Sequence, residues 1–279
     1  MTRIVSPLSS RALRNGLFAI AGAVALMAFV SSASAAVQFG VRCQSSFQDT
    51  WAPTIDVDTA CSDFISEIQP SDPVDFYFNL HGAELAFYSG QAAETCNSCG
   101  GVDSVDFFFM MTHGTIANNN VDFAGYAMWD DSCSGTNPPG CIAWTPNMRL
   151  GDSGQQLKAL ATFSCDTFEN SDGNFWNRWS KAFSGGLKVG VGGEALLYTG
   201  NDSQAATNFA SYMLGNTTIG SSWLEGVYYA NNSNTPTVAN TGSNSSNCWS
   251  RQGVTLGNVI SESVLRDSQI GYVCWTNWN

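Results

Sequence analysis

Two stretches of this sequence end in side chains able to do covalent chemistry. Val105-Asp106-Phe107-Phe108-Phe109-Met110-Met111-Thr112 runs into His113-Gly114, and Leu157-Lys158-Ala159-Leu160-Ala161-Thr162-Phe163 runs into Ser164-Cys165-Asp166. An imidazole beside a thiol takes its proton or stabilises the thiolate, which makes a nucleophile for acyl transfer. A glycine after the histidine lets the backbone approach a substrate carbonyl, and the Gly114 N–H is a candidate donor to an oxyanion. Asp166 is a further site candidate: it would draw a basic group, yet its charge also raises the pKa of the neighbouring thiol. The rival reading of Cys165 is a buried structural cysteine, since free Cys is among the most buried residue types.

Other candidates surround this pair. His81-Gly82 also follows an apolar run, Phe76 to Leu80, and is an additional candidate for the same sheet edge. Cys96-Asn97-Ser98-Cys99 has the spacing of a redox motif but does not open a helix after a strand. A thiol–disulfide oxidoreductase is therefore a separate reading of the chain. The same cysteines with His113 could ligate zinc, but an exported chain favours disulfides, so no metal and no cofactor are expected.

The elements that must position these groups are legible as hydrophobic runs. Val37, Phe39, Val41 and Cys43 alternate with polar or small residues, the period of a half-exposed strand. Cys61, Phe64, Ile65 and Ile68 recur at helical spacing, and the helix they imply ends before Pro70. Val74 to Leu80, Val105 to Met111, Leu157 to Phe163 and Leu187 to Val191 are unbroken apolar runs, as in strands buried on both faces of a parallel sheet. Helical stripes follow at Trp176, Trp179 and Phe183, then at Ala206, Phe209, Ala210 and Met213. Two more stripes run through Ile219, Trp223 and Val227, and through Leu256, Val259, Ile260 and Val264. Asn118 to Pro146 and Asn231 to Asn247 read as polar loops. Strands alternating with helices predict a single α/β domain with a mostly parallel sheet, whose ligands gather beyond the carboxyl ends of the strands.

Arg3, Arg11 and Arg14 precede the apolar run Gly16 to Val30, and small residues close it, the three parts of a secretory signal peptide over residues 1–35. Export to a secreted, periplasmic or extracellular location follows, with residues 36–279 as the mature domain and no membrane attachment after cleavage. The whole chain of 279 residues carries 23 acidic against 11 basic groups, a net charge of −12. That balance excludes a nucleic-acid binder, whose phosphate contacts need clustered Lys and Arg. Nine cysteines in an oxidising compartment leave one unpaired. Local spacing suggests Cys43 with Cys61, Cys96 with Cys99, Cys133 with Cys141, and Cys248 with Cys274, the last closing a C-terminal extension over 230–279. Cys165 is then the spare thiol.

An apolar strand ending in His-Gly, followed 52 positions later by a strand ending in a small residue and Cys, resembles the caspase-like cysteine peptidases over roughly residues 37 to 230. The segment Phe175 to Val227, with Trp176, Trp179, Ala182-Phe183, Gly186-Leu187, Gly192-Gly193 and Trp223, also resembles an uncharacterised bacterial family, domain of unknown function 6345. The first resemblance implies a three-layer α/β/α fold and a His113–Cys165 dyad in which His113 is the general base and Cys165 the nucleophile. Gly114 and the Cys165 amide would form the oxyanion site, and the partner would be a peptide or protein substrate. Ser164 stands where caspases have alanine in Gln-Ala-Cys, so no side-chain specificity carries over. A non-catalytic secreted binding or surface module that keeps the fold is the alternative.

Overall fold

In a computed structural model the described residues are 37–45, 55–71, 74–79, 102–116, 123–127, 142–148, 150–151, 157–261, 265 and 267–278. The signal segment, His81, Cys96, Cys99, Cys133 and Cys141 lie outside them. In chain order the elements are β1 (Phe39–Cys43), α1 (Asp58–Ile68), β2 (Val74–Asn79), β3 (Phe107–Met111), β4 (Gly114–Ile116), β5 (Ala124–Ala127), β6 (Ile142–Trp144) and β7 (Ala159–Phe163). They continue with α2 (Phe175–Ser184), β8 (Val189–Gly193), α3 (Asp202–Leu214), α4 (Ile219–Ala230), β9 (Pro236–Gly242), α5 (Ser245–Arg251) and β10 (Tyr272–Asn277).

Among the described residues the main sheet has seven strands in the order β10-β9-β8-β7-β3-β1-β2. From β2 to β8 every neighbouring pair is parallel, and β9 and β10 add antiparallel. A small antiparallel sheet, β4-β5-β6, stands beside it.

The pleat of β3 sorts its apolar run onto two faces. Phe107, Phe109 and Met111 pack with Phe64 of α1, Phe209 of α3 and Trp223 of α4, whereas Phe108 and Met110 pack with Tyr126 of β5 and Trp179 and Phe183 of α2. The first face is an aromatic stack, with the Phe64 and Phe109 rings 4.1 Å apart and the Phe209 and Trp223 rings meeting edge-on at 5.1 Å. Each such ring contributes about 1.5–3 kcal/mol by burial, so a strand with no polar face is stable only with helices on both sides. The result is a mixed α/β domain with a mostly parallel sheet. No described helix is long and apolar enough to cross a membrane.

Several elements depart from the sequence expectations, each for an identifiable reason. β1 is buried along its whole length rather than half-exposed, because it pairs with both β2 and β3. Its Arg42 is tolerated there by donating to the Gln44 carboxamide oxygen at 2.7 Å. The polar stretch 231–247 contains the buried strand β9, whose backbone is satisfied by β8 and β10 together, so Thr237, Asn240 and Thr241 are carried inside. Residues 230–279 are thus no appendage: they add two strands to the one sheet. The helix near the C-terminal end lies at Ser245–Arg251, with Asn244 accepting from the Asn247 N–H, whereas Leu256, Val259 and Ile260 lie in turns and Val264 falls outside the described residues. There Asn258 Oδ1 takes the Thr255 N–H at 2.8 Å and holds the chain in turns. Residues 118–146 contain β5 and β6 rather than loop alone. Gly192-Gly193 ends strand β8 rather than forming a turn; a Cβ at Gly192 would strike the Phe168 ring.

Candidate active site

The two chemistry-bearing segments are neighbours in the sheet. β3 and β7 pair in register, Met111 opposite Phe163, and the Thr112 N–H still reaches the Phe163 carbonyl at 3.4 Å. His113 and Cys165 therefore each stand two residues beyond a paired position, at the same carboxyl edge. Met111 and Phe163 face the α1/α3/α4 side, and Cys165 packs against that same cluster. His113 and Cys165 both line a cavity of about 200 Å³ on this side. Its apolar walls are Ile55, Val57, Phe163 and Leu197. Thr112, Ser164, Tyr198 and Thr199 complete the lining among the described residues. Ile55 and Val57 are brought there by the chain leaving β1, where Ile55 N–H donates to the Ser45 carbonyl at 3.0 Å.

Cys165 is the one free cysteine among the described residues and is partly exposed. Cys43 is joined to Cys61, tying β1 to α1, and Cys248 to Cys274, tying α5 to β10. The thiol is held by Leu197, whose N–H donates to Sγ at 3.4 Å and whose carbonyl accepts the S–H at 3.7 Å. Burial pushes its pKa up; the Leu197 backbone acts in the opposite direction, and the charge of Asp166 adds to the rise. Asp166 itself is half-buried, and burial followed by the charge of Glu169 raises its carboxyl as well.

Asp166 has φ 57°, in the left-handed region that a short polar side chain tolerates. The turn it makes is braced on all sides. Its N–H donates to the Ala195 carbonyl at 3.0 Å, and Thr167 Oγ1 donates to the Ser164 carbonyl at 3.2 Å. The Trp179 indole N–H donates to the Thr167 carbonyl at 2.7 Å, and Arg178 donates to the Glu169 carbonyl at 2.7 Å while pairing with Asp172. Helix α2 thus fixes the segment that follows the thiol.

Gly114 opens β4 directly against this turn. A Cβ at Gly114 would collide with the Cys165 carbonyl and lie 2.6 Å from Thr167 Cγ2, so only glycine lets the two backbones meet. The Ala127 N–H donates to the His113 carbonyl at 2.9 Å, which makes Gly114 and Tyr126 a pair that exchanges no hydrogen bonds with each other. The Gly114 N–H consequently points away from β5.

The cavity brings together His113 and Cys165; Gly114 lies against the Cys165 backbone, and neither it nor Asp166 lines the cavity. Leu197 and the Ile55–Val57 segment were not singled out by sequence reasoning. Leu196-Leu197-Tyr198 follows the carboxyl end of a parallel strand, the position where ligand-facing loops gather, and that was the available signal. Among the described residues no three His, Cys, Asp or Glu side chains converge as a metal site requires.

A family model described as Domain of unknown function (DUF6345) matches residues 72–275, a span that includes His113, Cys165 and all of the sheet except β1 and the end of β10. No curated protein matches the chain. With well over half of its residues inside that match, the chain belongs to the DUF6345 family.

Proposed function

We propose that this protein is an exported cysteine peptidase of caspase-like type. The observation that carries the reading is an unbridged thiol and an imidazole lining one cavity at the carboxyl edge of a parallel sheet. In the reaction, His113 takes the Cys165 proton and the thiolate attacks the carbonyl carbon of a peptide bond. The oxygen that becomes negative is held by the N–H groups of Gly114 and Cys165. Collapse of the tetrahedral intermediate breaks the C–N bond, His113 returns the proton to the departing amine, and a thioester remains. Water activated by His113 then releases the acid and restores the thiol. Export is supported by the N-terminal pattern of residues 1–35 and by the two disulfides.

A second reading, a non-catalytic binding module, draws on the surroundings of the sulfur. Burial and the charge of Asp166 both favour the protonated, unreactive thiol. One experiment separates the two. Wild type, Cys165→Ala and His113→Ala are each incubated with a mixed peptide library, and products are read by mass spectrometry. The peptidase reading expects cleavage by wild type alone; equal cleavage by all three, or none by wild type, overturns it.

A further inference from the structure

We infer that the cavity shared by Cys165 and His113 selects an uncharged, medium-sized apolar residue on the acyl side of the scissile bond. This deepens the peptidase reading and rests on it.

The apolar cavity walls are the side chains of Ile55, Val57, Phe163 and Leu197; Thr112, whose hydroxyl donates to the Ala127 carbonyl, Ser164, Tyr198 and Thr199 complete the lining beside the catalytic pair. Apart from His113 and Cys165, whose charges balance each other once the proton has moved between them, none of the described lining residues carries a carboxylate, an ammonium or a guanidinium group. A charged side chain seated there would lose its water without gaining a counter-ion, at a penalty of several kcal/mol. The nearby acids do not alter this: Asp56 is exposed, Asp166 is half-buried, and neither lines the cavity.

Size narrows the choice further. The cavity volume is about 200 Å³. That is below the ~300–1,000 Å³ of sites built for drug-sized ligands. It suits one residue of the size of leucine or methionine together with its carbonyl. The loop that forms one wall also extends the apolar surface outward: Leu197 is buried, while its neighbours Leu196 and Tyr198 are 54% and 47% exposed. Of these two, Tyr198 lines the cavity and offers a half-exposed ring over which an extended peptide would lie.

The test uses the full chain and peptidyl acyloxymethyl ketones that differ only in the terminal residue: Leu, Lys or Asp. The Cys165 thiolate displaces the carboxylate of the reagent and forms a thioether, read as a mass increase. The Leu reagent is expected to label about tenfold faster or more than either charged one. Equal or faster labelling by the Lys or Asp reagent overturns the inference. A second arm measures binding of the matching N-acetyl tripeptide amides to Cys165→Ala by calorimetry. Tight, Leu-selective binding without any labelling sinks the peptidase reading and leaves the pocket assignment standing. Labelling without selectivity does the reverse, and binding of none of the three peptides overturns the assignment outright. Thr199→Asp, a change at an exposed lining position, is expected to move the preference toward Lys; unchanged selectivity there counts against this pocket as the selector.

Discussion

The reactivity of Cys165 is set by three neighbours: the burying walls, the Leu197 backbone and the Asp166 carboxylate. Since burial and Asp166 both raise its pKa, alkylation of the native thiol by iodoacetamide should reach half its limiting rate above the ordinary thiol value of 9.0. Asp166→Asn removes the negative charge and keeps a residue that accepts the left-handed backbone. Its labelling at pH 7 should be faster by about twofold to fivefold, and an unchanged rate would show that the charge does not reach the sulfur. A second acid behaves differently. Asp202, at the start of α3, is pushed up to about 6 by burial, against an N–H from Ser203 and with Asp56 and Asp63 adding. A carboxyl raised in the fold binds its proton more tightly there than in the unfolded chain. The fold is therefore strongest relative to this group below pH ~4 and loses stability as pH rises toward 6. Asp202→Asn should raise the melting temperature by about 2–4 °C at pH 7 and by little at pH 4. At this scale the placement of His113 and Cys165 at one sheet edge was legible, because each follows an apolar strand run. The hold of Leu197 on the sulfur was not, because it is made by the backbone, and only its position after a strand end pointed to it.

Helix α2 and the strand pair β3/β7 hold the site in place. Trp179→Phe leaves the Thr167 carbonyl without its indole donor and opens space beside Phe168, whose ring lies 4.5 Å away. Loss of about 2–3 kcal/mol in denaturant unfolding is expected, with faster thiol labelling as the loosened turn exposes the sulfur. Gly114→Ala forces β4 off the Cys165 carbonyl; it should lower stability by about 2 kcal/mol or more and, on the peptidase reading, abolish peptide cleavage. The parallel strands and four of the helices, α1 to α4, were legible from periodicity, since a run such as Phe107–Met111 has no polar face to hide. β9 was not. Its Thr237, Asn240 and Thr241 look like loop residues, and only pairing on both sides makes them a strand. The stripe at Leu256, Val259 and Ile260 misled for the opposite reason: apolar spacing was right, but Asn258 bonds to the backbone in competition with the helix.

The domain is tied at both flanks of its sheet by crosslinks that close 18 and 26 residues. Each constrains the unfolded chain by about 3 kcal/mol on chain-entropy grounds, so reduction should lower the melting temperature well beyond the effect of any single surface change. Cys248→Ser with Cys274→Ser should release β10 first, visible as hydrogen exchange confined to Tyr272–Asn277. The parallel topology has a further effect on how the chain reaches this state. β3 cannot pair until β1 and β7, both dozens of residues away along the chain, have come to it. Until then Phe107–Met111, five uncharged apolar residues, is a sticky segment in search of any extended neighbour. Recovery of native protein from denaturant should therefore be slow and should fall steeply as protein concentration rises, with aggregates seeded by the very strand that later carries the histidine.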